Sequence, residues 1–169
     1  EDRHHKTVQK LWKILEEKKF IYLSKYSGWY SVSDEAFYTE SEIVEKDNIK
    51  LSAASGSVVE WVEEESYFFK LSEFQNLLIK HYEDNPEFIQ PSSRRKEVMS
   101  FVKGGLNDLS ISRNSFKWGI SVPNSKDHIV YVWLDALTNY LTATNYFDEN
   151  SFWPADVHII GKDILRFHA

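Results

Sequence analysis

Two apolar runs in the second half of the chain pass directly into helical sequence, and this limits the fold more than any other feature. Residues 129–133 (IVYVW) and 156–160 (DVHII) read as strands with no regular polar alternation. Such strands are buried on both faces, as in a parallel sheet covered by helices. A helix is expected from Asp135 to about Thr144, directly after the first run. The turn Gly161-Lys162-Asp163 and a helix start follow the second. Strand–helix–strand–turn–helix is a parallel α/β unit, so the expected fold class is α/β with a parallel sheet.

The first half has a different pattern. Residues 2–19 predict an amphipathic helix, because Val8, Leu11, Trp12 and Leu15 share one helical face. IYLSKY and WYSV then bring strand character, and Ser27-Gly28 between them predicts a hairpin. A short strand is expected at 36–38, a polar, loop-rich stretch at 40–56, and a turn at ASGS, 54–57. Two further strands, 58–62 and 67–69, flank the acidic run Glu63-Glu64-Glu65. Ser72-Glu73-Phe74-Gln75 matches a capping box, which predicts a helix to about Glu83, ended by Asn85-Pro86. A second helix, 94–102, stops at Gly104-Gly105, and a short strand follows at 108–113. The first half is therefore a small β-rich module beside the α/β half or inserted into it.

Composition removes several kinds of chemistry. With no cysteine, disulfides, thiolate nucleophiles and Cys-ligated zinc are excluded. Among the histidines only His4 and His5 are close, and neighbours on a helix point apart, so no structural metal site is expected. A net charge of -6 opposes strong nonspecific binding to nucleic acid. It leaves room for a local basic patch such as Arg94-Arg95-Lys96, which also reads as the wet face of a helix. No run of about 18 apolar residues exists, so no membrane helix is expected. The charged opening EDRHHKTVQK, without an initiator Met, reads as the interior of a longer chain.

In an open parallel sheet, ligands bind beyond the carboxyl ends of the strands. At the first such end, Trp133 is expected to close the strand, with Ala136 and Tyr140 on one face of the following helix. A small residue between two large aromatics forms a slot, or simply a packed junction, and pattern leaves both open. At the second end, Gly161 allows a tight turn, Lys162 offers a cation, and Asp163 can accept from hydroxyls or cap a helix. Phe167 and His168 follow on that helix. Arg113 ends the strand LSISR and can face a carboxylate or phosphate, or solvent. Paired catalytic carboxylates, a Ser-His-Asp arrangement and a phosphate-cradling glycine loop are all missing from the sequence.

Six stretches carry a resemblance: YLSKYSGWYSVSDEAFYTESEIV, ESYFFKLSEFQ, RRKEVMSFV, LNDLSISRNSFKWGISVP, VYVWLDALTNYLTA and FWPADVHIIGKDILRFHA. In this order they resemble the methionyl-tRNA synthetases, class I aminoacyl-tRNA synthetases, in their bacterial and organellar form. WLDALTNY and HIIGKDILRFHA are the specific parts. The resemblance implies part of a Rossmann-like catalytic domain holding a connective-peptide insertion. It divides the chain into a leading helix at 1–19, the insertion at 20–107, and second-half catalytic elements at 108–169. Neither the HIGH nor the KMSKS signature of the family is present, so residues 1–169 alone are expected not to form adenylate.

The resemblance places Trp133, Ala136, Tyr140, Phe167 and His168 around the methionine side chain. A thioether packs well against aromatic rings, at about 0.3–1.5 kcal/mol per contact. His168 is expected to hydrogen-bond near the sulfur. Asp163 and Gly161 resemble residues near the adenosine ribose, and Arg113 the strand-end arginine near the substrate's polar end. The implied substrates are methionine, ATP with Mg2+, and tRNA(Met), with a cytoplasmic location, or a mitochondrial one in a eukaryote. Where relatives carry zinc-binding CxxC pairs, this chain reads YSVSDEAFYTESE, so no zinc is expected. Other readings remain open: a class I synthetase for leucine, isoleucine or valine, a noncatalytic tRNA- or protein-binding module, or an unrelated nucleotide-binding α/β protein.

Overall fold

Val8 and Trp12 are fully buried on one side of α1 (Asp2–Glu17), the helix their spacing predicts. The structure is a computed structural model of the 169-residue chain. It describes all residues except Asp34, Glu35 and Phe116, and leaves the side chains of Tyr26, Ala36, Phe37 and Ser41 undescribed. Asp34 and Glu35, in the stretch read as cysteine-free, thus lie outside the described residues. The chain divides into two compact units, one of Glu1–Tyr22 with Tyr67–Ala169, the other of Leu23–Ser66.

The second unit is built from strands. β1 (Ile21–Ser31) enters it from the first unit. β2 (Ala36–Tyr38) pairs antiparallel with β1, Trp29 facing Tyr38. Thr39 opens a 3-10 turn, Glu40–Glu42, in which its N–H donates to Glu42 Oε2 at 2.8 Å. β3 (Ile43–Lys46) and β4 (Ile49–Ser52) form a tight hairpin through Asp47-Asn48, both left-handed with φ of 53° and 63°. Such a pair of residues suits the type I′ turns that match strand twist. The loop expected at 40–56 therefore contains a hairpin. β5 (Glu60–Phe69) leads back to the first unit.

Two expectations fail here. β1 does not turn at Ser27-Gly28, and β5 does not break at Glu63-Glu64-Glu65. The local strand order β2-β1-β5 places β1 between two strands, with the β2 ladder beginning at Trp29, directly after the glycine. In β5 the two-residue period puts Trp61, Glu63 and Glu65 on the exposed face, so the acids need no break.

In the first unit, a 3-10 turn (Leu71–Phe74) leads into α2 (Gln75–Asp84), and α3 (Ser92–Lys103) follows. The capping box does not form. Ser72 donates from Oγ and from N to Asp108 Oδ1, at 2.5 and 3.2 Å, and Gln75 Oε1 accepts from Leu106 N at 2.8 Å. These side chains tie the helix start to the segment after α3 instead. Tyr82, Ile89, Val98, Val102 and Leu106 form one core cluster. Gly105, with φ of 107°, ends the helical pair.

β6 (Leu109–Ser110) pairs with the end of β5, and β7 (Ser112–Arg113) pairs with β8 (Ile129–Val130), Arg113 facing Ile129. Around them lies the larger core: Val8, Trp12, Ile21, Ile111, Ile120, Val122 and Val130. Gly119 packs on it in a way only glycine allows. Its φ is 147°, and a Cβ there would lie 2.7 Å from Ile129 Cδ1. α4 (Val132–Ala143), a 3-10 turn (Lys162–Ile164) and α5 (Leu165–His168) complete the unit.

The fold is mixed α/β, as expected, but the two apolar runs do not both become strands. The first yields only Ile129–Val130, because Tyr131 N donates to Ile111 O at 2.8 Å and the helix begins at the next residue. Residues 156–160 form no strand, and Val157 and Ile159 are 75% and 96% exposed. A strand exists through its ladder. A parallel one takes its neighbours from crossover units, and no described strand runs beside this segment. The pairs β1–β2, β3–β4, β5–β6 and β7–β8 are all antiparallel.

Candidate active site

α4 starts at Val132, three residues before the expected Asp135. Tyr131 is the N-cap, so Trp133 lies in the first helical turn rather than at a strand end. Trp133, Ala136 and Tyr140 then share a face at i, i+3 and i+7. Ala136 is exposed between two half-buried rings, so the face is open.

α5 brings the other two expected residues to this face. The Phe167 ring lies parallel to Trp133, with centroids 3.7 Å apart and planes 6° apart. His168 Nε2 lies 3.0 Å from the Tyr140 hydroxyl, and their rings meet edge-on at 5.5 Å. His168 Nδ1 lies 2.9 Å from the Ile164 carbonyl, which can only accept. That bond places the hydrogen on Nδ1, so in the neutral ring Nε2 accepts from the Tyr140 O–H. His168 is thus oriented by two partners of its own, and the Tyr140 oxygen keeps its capacity to accept.

Sequence reasoning missed His158. Its ring meets Tyr140 edge-on at 5.0 Å and lies 5.8 Å from Trp153. His158 is itself exposed and lies outside any strand, so no periodicity in the sequence marks it.

Beside the stacked pair is a cavity of about 770 Å³, with Phe69, Leu78, Tyr82, Leu106, Trp133 and Phe167 among its walls. Asp163, Lys162 and Arg166 line it too, the Arg166 guanidinium lying 4.9 Å over Phe101. Asp163 is exposed in the 3-10 turn, which is capped by Gly161 at an ordinary φ of -63°. The glycine is therefore not required by backbone angle, and Asp163 is not the cap.

Arg113 is placed elsewhere. It is buried, donates from Nη1 to Ser110 Oγ and Ser112 O at 2.7 Å each, and lies 3.7 Å over the Tyr131 ring. It is not among the cavity's lining residues. The basic run divides as well: Arg94 pairs with Glu97 at 2.8 Å, Arg95 donates to the Tyr82 carbonyl at 2.7 Å, and Lys96 is exposed. No group of three or more His, Asp or Glu suited to a metal ion occurs among the described residues, and no described helix is long and apolar enough to cross a membrane.

The chain as a whole is similar to known proteins. The family model for tRNA synthetases class I (M) matches residues 1–60 and 45–169. A methionine–tRNA ligase of Rhizobium meliloti (strain 1021) is 54% identical over 174 residues, covering 100% of this chain and 34% of its own length. One from Rickettsia conorii is 56% identical over 173 residues, covering 100% and 33%. Among solved structures, Mycobacterium tuberculosis methionyl-tRNA synthetase bound by methionyl-adenylate is similar at a TM-score of 0.88. It is 51% identical, covering 99% of this chain and 34% of that one. The free form of that enzyme gives a TM-score of 0.86 at 52% identity. The chain thus spans about a third of the length of the relatives it matches. With both stretches of the family model together spanning the whole sequence, the chain belongs to the class I methionyl-tRNA synthetase family.

Proposed function

We propose that this chain is the central part of a methionine–tRNA ligase. Such an enzyme converts ATP, L-methionine and tRNA(Met) to methionyl-tRNA, AMP and pyrophosphate. In the first step the methionine carboxylate attacks the α-phosphate of ATP and pyrophosphate leaves. In the second, a terminal ribose hydroxyl of the tRNA takes the methionyl group and AMP leaves.

The observation that carries this reading is the aromatic face of α4 completed by α5. Trp133 and Phe167 are stacked, and Tyr140 and His168 are hydrogen-bonded, beside the exposed Ala136. Flat rings around a small residue suit a thioether chain, and the oriented Tyr140 oxygen adds a polar contact near the sulfur. In this reading Trp133, Ala136, Tyr140, Phe167 and His168 form the methionine pocket. The exposed Asp163, beside Gly161, accepts from the ribose hydroxyls. Arg113 acts at a distance, by shaping the strand end before α4. Mg2+ enters with ATP as part of the substrate. The reading keeps the insertion at 20–107 by chain order, a zinc-free connective peptide, and a cytoplasmic or mitochondrial site of action.

Methionine-dependent ATP–pyrophosphate exchange by the full-length protein tests the reading, with leucine, isoleucine and valine alongside. Methionine is expected to be activated far above the others. A preference for a branched amino acid would move the chain to another class I specificity. The isolated 169 residues are expected to give no exchange, because the HIGH and KMSKS groups that stabilise the displacement are not in the sequence.

A further inference from the structure

The side of α4 away from the aromatic face is held by one residue of α1. Asp135, Thr138 and Thr142 lie along that side at i, i+3 and i+7, and both threonines are buried. His4 meets it at two points. Its Nε2 lies 2.6 Å from Asp135 Oδ1, and its Nδ1 lies 2.8 Å from Thr142 Oγ1. His4 and Asp135 are both shielded, with side chains 17% and 35% exposed.

Apolar contacts let packed helices slide and turn slightly at small cost, as in shear motions. Hydrogen bonds have direction and weaken steeply off axis. Two of them, from one rigid ring to residues seven apart, set both the rotation of α4 and its position along its axis. A rotation of about 20° would carry a side-chain tip at the helix surface through roughly 2 Å. Misplacement by about 1 Å can cost a reaction about a hundredfold. Asp135 lies between Trp133 and Ala136, so the anchored turn is the one that carries the proposed pocket.

We propose that His4 is a positioning residue of the methionine site. Through Asp135 and Thr142 it fixes the rotation and register of α4, and with them the placement of Trp133, Ala136 and Tyr140. This rests on the reading of α4 as a wall of the methionine pocket.

The test uses pyrophosphate exchange by the full-length protein, with His4→Ala, His4→Gln and Asp135→Asn. His4→Ala is expected to raise the KM for methionine about tenfold, the scale of one lost charged hydrogen bond. Its kcat and its KM for ATP should stay within about threefold. His4→Gln keeps a donor for Asp135 and should recover most of the loss. Asp135→Asn should shift the same parameter, and combining it with His4→Ala should add little, since both break one link. An unchanged methionine KM in His4→Ala overturns the proposal. So does a parallel fall of all parameters that His4→Gln fails to repair, because that marks a loss of folded protein. Absence of methionine-dependent exchange in the unsubstituted protein strikes the functional reading itself, before any variant is compared.

Discussion

β8 and the segment 157–160 carry similar side chains into opposite surroundings. Ile129 and Val130 are 6% and 4% exposed, whereas Val157 and Ile159 face solvent almost completely. β8 has β7 on one side and a bridge from Ser121 on the other, with Gly119 packed closely on Ile129. Residues 157–160 meet their surroundings through the ring of His158. Apolar, β-branched residues supply the tendency to form a strand. A partner ladder and a wall to bury against turn that tendency into structure.

The sharpest way to break this comparison is to truncate one isoleucine in each region. Ile129→Ala should destabilise the chain by about 2–4 kcal/mol, because it leaves a cavity under Gly119. Ile159→Ala should change stability by less than about 0.5 kcal/mol, as for an exposed site. Denaturant unfolding of the two variants decides it. An Ile159→Ala cost near that of Ile129→Ala would mean that the segment is packed, and the contrast would fail.

The helix that follows β8 extends the contrast to function. α4 follows directly on a formed strand. Trp133→Ala in the full-length protein should weaken methionine activation by about 2–4 kcal/mol in kcat/KM, the scale for losing a buried aromatic wall. Unchanged kinetics would remove Trp133 from the site, however well it stacks on Phe167.

Those aromatic residues were legible because a helix repeats every 3.6 residues, so Ala136 and Tyr140 share a face whatever surrounds them. Phe167 and His168 followed from the resemblance, and their meeting with α4 is visible only in three dimensions. Features that depend on a distant partner were hidden. Gly28 looks like a turn until β1 takes its place between β2 and β5. Ser72 and Gln75 look like caps until residues 106–108 claim their side chains. Arg113 looks like a ligand at a strand end until Ser110, Ser112 and Tyr131 enclose it. His4 gave no signal, because its partners lie 131 and 138 residues away.

The β3–β4 hairpin is the opposite case, a strand pair whose partner is supplied by two residues. Asp47 and Asn48 are both left-handed, a conformation that costs a residue with a Cβ about 1–2 kcal/mol and that Asn tolerates best after Gly. Asn48→Ala should therefore destabilise by about 1 kcal/mol, and Asn48→Gly should be close to neutral. Equal effects in thermal unfolding would show that β3 and β4 pair without help from their turn.

Asp108 supplies the long-range counterpart to that turn, and its effect should be the smallest and the most dependent on pH. The carboxylate accepts from the Tyr22 hydroxyl at 2.8 Å, and from the Ser72 hydroxyl and amide, joining β1, the turn before α2 and the start of β6. Burial pushes its pKa up, but the Ser72 and Tyr22 hydroxyls, the Ser72 amide and the Lys70 charge pull harder, and the net direction is down. Tyr22 is moved up by burial and by Asp108 itself. A depressed folded pKa stabilises fully above the unfolded value near about 3.9 and loses that stability as pH falls through the lower, folded value. Solvent screens this partly exposed group, so Asp108→Asn should cost about 1 kcal/mol or less near neutral pH. The difference in Tm between the unsubstituted protein and Asp108→Asn should be constant from neutral pH to about pH 5 and shrink below about pH 4. A gap that stays constant into acid would mean that the link is held by shape alone, without the carboxylate's charge.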